Sequence, residues 1–410
     1  MKIFILLLSF LTVAFQISAQ RNCGSFEYAR STGNTYNQTT VDHSIVSRDT
    51  VANEIITIPV VIHVIYHNAA QNITDAQVLS QLKALNEDFR RMNADAVNTP
   101  DAFKPFAADS RIMFCLAQVN PIGLAQRGII RKFTNKESFN VDDAMKFSAA
   151  GGDDAWDTKK YMNIWVCNMQ NNLLGYATQP GGQADKDGIV IQYDAFGTVG
   201  SLRANFNKGR TATHEIGHWM GLRHVWGDNS CGDDGIGDTP QQSGYNNNCP
   251  SFPHLSSCSP DANGDMFMNF MDYTNDGCMN MFTEGQKIKM RGLFSAHGLR
   301  NSFLLSFACD SSFSTAAPLP VADSTPIAKA EPTVQIYPNP VQHDLNLVAL
   351  NGYDLTGKSI AVMSATGQVK LKKTISKESD KLDCSSLQSG VYIIIIGQGA
   401  DRVVLKLIKV

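Results

Sequence analysis

After its first nineteen residues the chain has no stretch of about 18 apolar residues, so nothing later in it can cross a bilayer as a helix. It is short of net charge too. Its 35 basic and 38 acidic residues leave −3, which excludes the basic surface that nucleic acid needs. Composition also excludes a structureless chain: 43% of the residues are hydrophobic, ample for a core, and 410 residues exceed one ordinary domain, so two folded units are expected. The opening itself reads as an export signal over 1–19. Lys2 is followed by the apolar run from Ile3 to Phe15, too short for a span, and by Ile17-Ser18-Ala19 ahead of Gln20. A soluble, exported protein is expected.

Export makes disulfides admissible, and nine cysteines, an odd number, leave at least one thiol over. Cys231, Cys249, Cys258 and Cys278 crowd a segment rich in glycine, asparagine and aspartate, where cross-links can substitute for a core, so two bridges are expected there. Cys115 and Cys167 stand in apolar, strand-like runs and are read as buried thiols. Cys23 lies in a polar, weakly patterned stretch, 20–47, that reads as a pro-segment. A thiolate there can ligate a metal and hold an enzyme latent, or the residue can be an ordinary disulfide partner. Asn37-Gln38-Thr39 fits a glycosylation sequon.

Patterned sequence begins at Ile55, where the β-branched run to Tyr66 predicts a buried strand with Pro59 near an edge or bulge. Thr74 and Gln77 form the signature of a capping box. Val78, Leu82, Leu85, Phe89 and Met92 then recur at helical spacing along a face that should lie on a sheet. Arg111 to Val119, Tyr161 to Cys167 and Gly188 to Tyr193 predict further strands, giving a mixed sheet with helices against it. His63 and His67 are read as structural or surface residues. Leu173 to Ala177, including Gly175 and Tyr176, is either an edge strand able to hold an extended peptide or a plain connector.

Chemistry concentrates in Thr211 to His224. His214 and His218 are four apart, so on a helix their rings share one face and can chelate one ion, with Glu215 beside them placed to act as a base. Gly221, free to take positive φ, can stop the helix and return His224 to the same ion. Three protein ligands leave zinc a fourth position for water, which is the arrangement of a catalytic site and points to a zinc hydrolase. The acidic run Cys231 to Pro240 offers hard oxygen ligands suited to calcium, although such turns also simply face water. Met271 and Tyr273 follow, a methionine to lie under the three histidines and a tyrosine at their rim.

With those residues in view, the chain resembles the pappalysin family of metzincin metalloproteases, in the branch of ulilysin and mirolysin, from about Ile55 to Ala308. The resemblance implies an α+β fold: a mixed, mostly parallel twisted sheet with an active-site helix and a long-loop C-terminal subdomain. It implies one catalytic zinc on His214, His218 and His224, Glu215 as general base and acid, Met271 as the floor, and Tyr273 supporting the tetrahedral intermediate. It further implies the pairings Cys231 with Cys258 and Cys249 with Cys278, a structural calcium at Asp234, Gly237 and Thr239, and Cys23 as zinc ligand of the latent form. Asp276, five residues past Met271, falls where ulilysin-like members carry an aspartate associated with cleavage before arginine or lysine. Arginine should win, because its planar fork can bond a carboxylate twice.

Ser311 to Pro332 is rich in alanine, proline, serine and threonine, as a linker is, and a second patterned region follows. Tyr337-Pro338-Asn339-Pro340, Leu387 to Tyr392 and the terminal Lys406 to Val410 lie among short alternating strands and predict a small β-sandwich. That part resembles the C-terminal sorting domain of type IX secretion; a carbohydrate-binding or spacer sandwich is the plainer reading, and Cys384 has no assigned role. The expected organisation is signal peptide 1–19, pro-segment 20–47, with Arg48 as the processing point, catalytic domain 48–310, linker 311–332 and sorting domain 333–410. The expected protein is a zymogen of a secreted zinc endopeptidase acting as a monomer on protein or peptide substrates. It would be exported by the type IX machinery of a Gram-negative bacterium, to be released or held at the outer-membrane surface. The competing class is a surface adhesin that keeps the metal as a structural pin.

Overall fold

The structure, a computed structural model, describes residues 20–33, 54–123, 125–306, 308–309, 334–349, 354–364, 369–376, 379–397 and 403–410. The expected signal peptide, the sequon at Asn37, the processing point Arg48 and the linker 311–332 lie outside the described residues. After a short helix α1 (Ser25–Ser31), the chain enters β1 (Ile56–Tyr66), eleven residues buried almost throughout. Such a run needs cover on both faces and neighbours on both edges, which is the setting of a parallel sheet. Its first half pairs with β2 (Ile112–Leu116), its second half with β3 (Ile129–Phe133), and from Val60 onward it also pairs with β4 (Met162–Cys167), all parallel. Pro59 is tolerated because β4 joins only at the next residue. The short strand β5 (Gly175–Ala177) closes the sheet as an antiparallel edge on β6 (Ile189–Gln192), in the order β2-β1-β4-β6-β5.

Strand parity divides the core. Ile58, Val60, Ile62 and Val64 of β1, with Ile164, Val166, Ile189 and Ile191, face helix α2 (Asp75–Phe89) and helix α3 (Arg210–Trp219), which contributes Ala212 and Ile216. Ile65, Trp165, Cys167, Val190 and Tyr176 face the other way, onto Phe139 and Met145. Cys167 is a buried thiol, as expected.

Three local expectations need correction. Thr74 caps α2 by accepting from the Gln77 N–H, but the Gln77 side chain does not return the bond; it donates to the carbonyls of Tyr193 and Phe196, tying α2 to the loop after β6. The reciprocal capping box is at Thr283 and Gln286, at the start of α4 (Glu284–Gly292). Met92 lies beyond the end of α2 and is 60% exposed, so the buried stripe stops at Phe89. Cys115 is no thiol: it is bonded to Cys309. Ile112, Phe114 and Leu116 take the core face of β2, which turns Cys115 to the opposite face, where the chain returns and the Gln118 N–H meets the Ala308 carbonyl.

The segment between α3 and α4 is mostly irregular, and it carries the disulfides Cys231–Cys258 and Cys249–Cys278. The C-terminal region forms two antiparallel sheets. One contains β7 (Val334–Tyr337), β8 (Asp344–Ala349) and, across β8, β11 (Ser379–Asp383). The other contains β9 (Ser359–Ser364), β10 (Val369–Thr374), β12 (Gly390–Ile396) and β13 (Val403–Lys409). Leu345, Leu347 and Leu382 from the first pack with Ile360, Val362, Ile394 and Leu407 from the second, and Cys384 fills space in that core. Among the described residues, no helix is long and apolar enough to cross a membrane.

Candidate active site

Helix α3 begins after Gly209, whose φ of 76° releases the chain into the helix. No side chain of its own caps it. The Asp276 carboxylate, 66 residues on, does so: Oδ2 accepts the N–H groups of Lys208 at 2.8 Å and Arg210 at 3.3 Å. About three turns later Gly221 takes φ 82° and its N–H bonds the His218 carbonyl, so the chain folds back and brings in His224. His218 Nε2 then stands 3.1 Å from His214 Nε2 and 3.0 Å from His224 Nε2, with all three rings buried.

The far nitrogens determine what this cluster can hold. His214 Nδ1 is 2.7 Å from the Phe270 carbonyl, His218 Nδ1 is 2.9 Å from the Leu222 carbonyl, and His224 Nδ1 bonds the Asp228 carboxylate. Each Nδ1 therefore carries the proton and each Nε2 presents a lone pair to the others. Burial, aided by the neighbouring rings, lowers His214 well below its ordinary range and His218 to about 3, so these two rings are neutral donors. Lone pairs converging at 3 Å repel unless a cation lies between them. Tetrahedral zinc with bonds of about 2.0–2.1 Å would space its nitrogens by roughly 3.3 Å. The donor set fits zinc, and Cys23 completes it: its sulfur and the three ring nitrogens lie within 4.8 Å of one another. Burial pushes the Cys23 thiol up, an effect that a bound cation reverses.

Glu215 sits beside this group. Its Oε2 accepts the Ser25 hydroxyl at 2.8 Å and lies 3.5 Å from Cys23 Sγ, and burial raises its carboxyl to about 7. A β-carbon at Gly175 would come within 2.9 Å of Glu215 Cγ, so glycine lets the edge strand β5 lie directly against the carboxylate. Below the helix, Met271 Sδ occupies the space that a side chain at Gly217 would need. The Tyr273 ring packs 4.9 Å from that of His224, and its hydroxyl donates to the Cys23 carbonyl at 3.2 Å.

Residues 21–25 lie along β5. The Leu174 N–H bonds the Asn22 carbonyl and the Gly24 N–H bonds the Gly175 carbonyl, each at 2.9 Å, while the Ala177 N–H takes the Ser25 hydroxyl at 2.8 Å. Three polar groups of the edge are thus taken by the pro-segment. Arg21 is buried with its guanidinium 2.6 Å from Asp276 Oδ1, and it also donates to the Thr274 carbonyl and the Thr211 hydroxyl, both at 3.3 Å. Cys23, His214, Glu215, His218, His224, Met271, Tyr273, Gly175 and Asp276 therefore converge, whereas the Tyr176 side chain turns to the opposite face of the sheet. Asp234 and Thr239 form a group of their own. The Thr239 hydroxyl bonds Asp234 Oδ1 at 2.9 Å, burial raises the Asp234 carboxyl to about 7, and Gly237 faces open space. Sequence reasoning gave no role to Arg21, Ser25 or Asp228. Only Asp228 carried a local signal, a carboxylate four residues after the third histidine.

Comparison with known proteins matches this geometry to named relatives. The family model for pregnancy-associated plasma protein-A matches residues 146–295, and that for a secretion-system C-terminal sorting domain matches residues 335–410. An extracellular metalloprotease of Arthroderma otae is 31% identical over 250 residues, which span 59% of this chain and 78% of that protein. The mature mirolysin of Tannerella forsythia, solved with a cleaved peptide, is 52% identical with a TM-score of 0.60, covering 61% of this chain and 96% of that one. A promirolysin mutant from the same organism is 49% identical with a TM-score of 0.65, covering 70% and 97%.

Proposed function

The chain belongs to the pappalysin family of zinc metalloendopeptidases, is made as a zymogen and carries a type IX secretion sorting domain; from that premise we propose that it cleaves proteins on the amino-terminal side of arginine, and less readily of lysine. The observation that carries this specificity is the Arg21–Asp276 pair, buried at 1% and 0% exposure beside the zinc ligands. Arg21 reads as a stand-in for the substrate residue that follows the cut. The pocket it fills has a carboxylate whose other oxygen is already committed to the start of α3, so the pocket accepts a cation without losing its shape.

His214, His218 and His224 hold the zinc in the working enzyme, and Cys23 is the fourth ligand of the latent form. When bound, zinc supplies Lewis-acid polarisation of the scissile carbonyl and acidifies a water. Glu215 takes the proton of the attacking water and delivers it to the leaving amine, from a position beside the three histidines that Ser25 and Cys23 cover in the latent form. The Tyr273 hydroxyl, freed from the Cys23 carbonyl, donates to the oxyanion. β5 aligns the substrate backbone through the groups that residues 22–25 now occupy. The pro-segment 20–47 is removed at Arg48 to open the cleft. A structural calcium at Asp234, the Gly237 carbonyl and Thr239 is supported by the buried Asp234 carboxylate, whose burial is offset by the Thr239 hydroxyl, the Ile236 N–H and the charge of Lys289 without being cancelled.

The deciding experiment is cleavage-site profiling of a peptide library by mass spectrometry, beside a Glu215→Ala protein with its zinc content measured. Enrichment of arginine after the cut, and loss of all cleavage in the zinc-loaded variant, are expected. A profile with no basic preference would refute the Asp276 assignment, and an active Glu215→Ala protein would refute the mechanism.

A further inference from the structure

The pro-segment makes a second deep contact that neither the metal nor the Asp276 pocket explains. Tyr28, on α1, is only 4% exposed. Its hydroxyl donates to Asp143 Oδ2 at 2.8 Å, and its ring lies 4.9 Å from that of Tyr176 and 5.1 Å from Lys146 Nζ. Every other wall of this socket belongs to the catalytic domain. Lys146 is fully buried, pairs with Asp143 at 3.0 Å, and stands within 5.4 Å of the Tyr176 and Trp165 ring centres. Asp143 itself holds φ 61°, a conformation that costs a non-glycine residue energy, and its other oxygen takes the Tyr176 hydroxyl at 3.0 Å. A buried ion pair inside an aromatic box is an expensive way to pack one face of a sheet. It is a selective way to receive a phenol.

We propose that the socket filled by Tyr28 is, once the pro-segment has gone, a binding site for a tyrosine side chain of the substrate, on the amino-terminal side of the cleaved bond. The proposal rests on the reading of Arg21 as a stand-in for the residue after the cut. Arg21 and Tyr28 lie on opposite sides of Cys23 along the segment, so if the first marks the side of the departing chain, the second marks the other. The route is at hand: Tyr176 belongs to β5, and a β-carbon at Gly24, in the backbone lying on that edge, would touch Tyr176 Cβ at 3.5 Å. An extended peptide on the same edge therefore runs past the mouth of the socket. Withdrawal of Tyr28 leaves Asp143 Oδ2 with Lys186 at 3.3 Å, and an incoming phenol restores the lost bond where phenylalanine cannot.

The test uses the purified protein after processing and internally quenched peptides with arginine after the cut and tyrosine, phenylalanine or alanine at each of the four positions before it. At one of these positions tyrosine should raise kcat/KM about ten-fold over alanine and roughly five-fold over phenylalanine, chiefly through KM. Tyrosine, phenylalanine and alanine within two-fold of one another at all four positions would overturn the proposal. So would a pro-segment peptide that loses inhibition on Tyr28→Ala while substrates show no preference, because the socket would then serve latency alone. A second series varies the residue after the cut with tyrosine held in place. Loss of the arginine preference there, with the tyrosine preference kept, refutes the Asp276 reading separately.

Discussion

Removing the Arg21 guanidinium is the sharpest perturbation of the latent state, because its ion pair with Asp276 is dry on both sides. Breaking a buried pair by deleting one partner costs about 3–5 kcal/mol, most of it from the charge left behind. Here Asp276 Oδ2 keeps the N–H groups of Lys208 and Arg210, and water can enter the vacated pocket, so the lower end applies. About 3 kcal/mol at 1.4 kcal/mol per ten-fold corresponds to roughly 100-fold weaker docking. The assay is inhibition of the processed enzyme by a synthetic peptide covering residues 20–33. Arg21→Ala should raise Ki by about 100-fold, and Arg21→Lys, which keeps the charge but loses the fork, by about 10-fold. In an Asp276→Asn enzyme, where an oxygen still faces the start of α3, the Arg21→Ala effect should shrink to a few-fold, isolating the pair. A wild-type enzyme inhibited equally by the parent peptide and its Arg21→Ala variant would refute the view that Asp276 reads a guanidinium.

The remaining predictions concern the centre and its supports. A Cys23→Ala precursor should leak activity and cleave itself, read by gel and by casein hydrolysis; a variant as silent and as stable as the parent would count against the thiol as a metal ligand. Tyr273→Phe should lower kcat by about 10- to 100-fold with little change in KM, and a loss confined to KM would move Tyr273 from the oxyanion to substrate binding. Chelation should abolish hydrolysis and one equivalent of zinc restore it; activity that survives exhaustive chelation would contradict the site. Burial works against the charge of Asp95, but the hydrogen bonds and charge of Arg210, with Asn93 and Lys208, hold its carboxyl at about 2. Its folded value lies below the unfolded one, so its stabilising contribution is present above about pH 4 and fades as pH falls through about 2. Urea midpoints of parent and Asp95→Asn should therefore differ by a constant amount above pH 4 and converge toward pH 2, and parallel curves would refute this.

The metal centre was legible because its parts are local: two histidines a helical turn apart, a glycine at φ 82° and a third histidine fit within eleven residues. β1 was legible for a similar reason, since burial on both faces imposes an unbroken β-branched run. What escaped depends on distant partners or on parity. Arg21 acquires its meaning from the Asp276 carboxylate 255 residues away, and Ser25 from the Glu215 carboxylate 190 residues away. β3, with Arg131 and Lys132 in its middle and one side open, lacks the apolar signature of its neighbours. Cys115 was misread because an apolar run does not say which of its residues face the core. The expectation at Asp276 came only through resemblance, and its bonds to the start of α3 show why an aspartate fits that position whatever the specificity: the same side chain caps the helix that carries His214 and His218.

The Cys115–Cys309 bond has a mechanical side. It joins β2, the strand at the edge of the sheet beside β1, to the last described residue before the sorting region, and so closes a covalent ring that contains His214, His218, His224, Met271 and Asp276. Tension applied to the chain beyond Cys309 passes through sulfur into β2 and is resisted there by the parallel ladder with β1. The ring itself cannot lengthen. A tail hauled by export machinery or tethered at a surface therefore loads the sheet, while the loops that shape the cleft carry none of the pull.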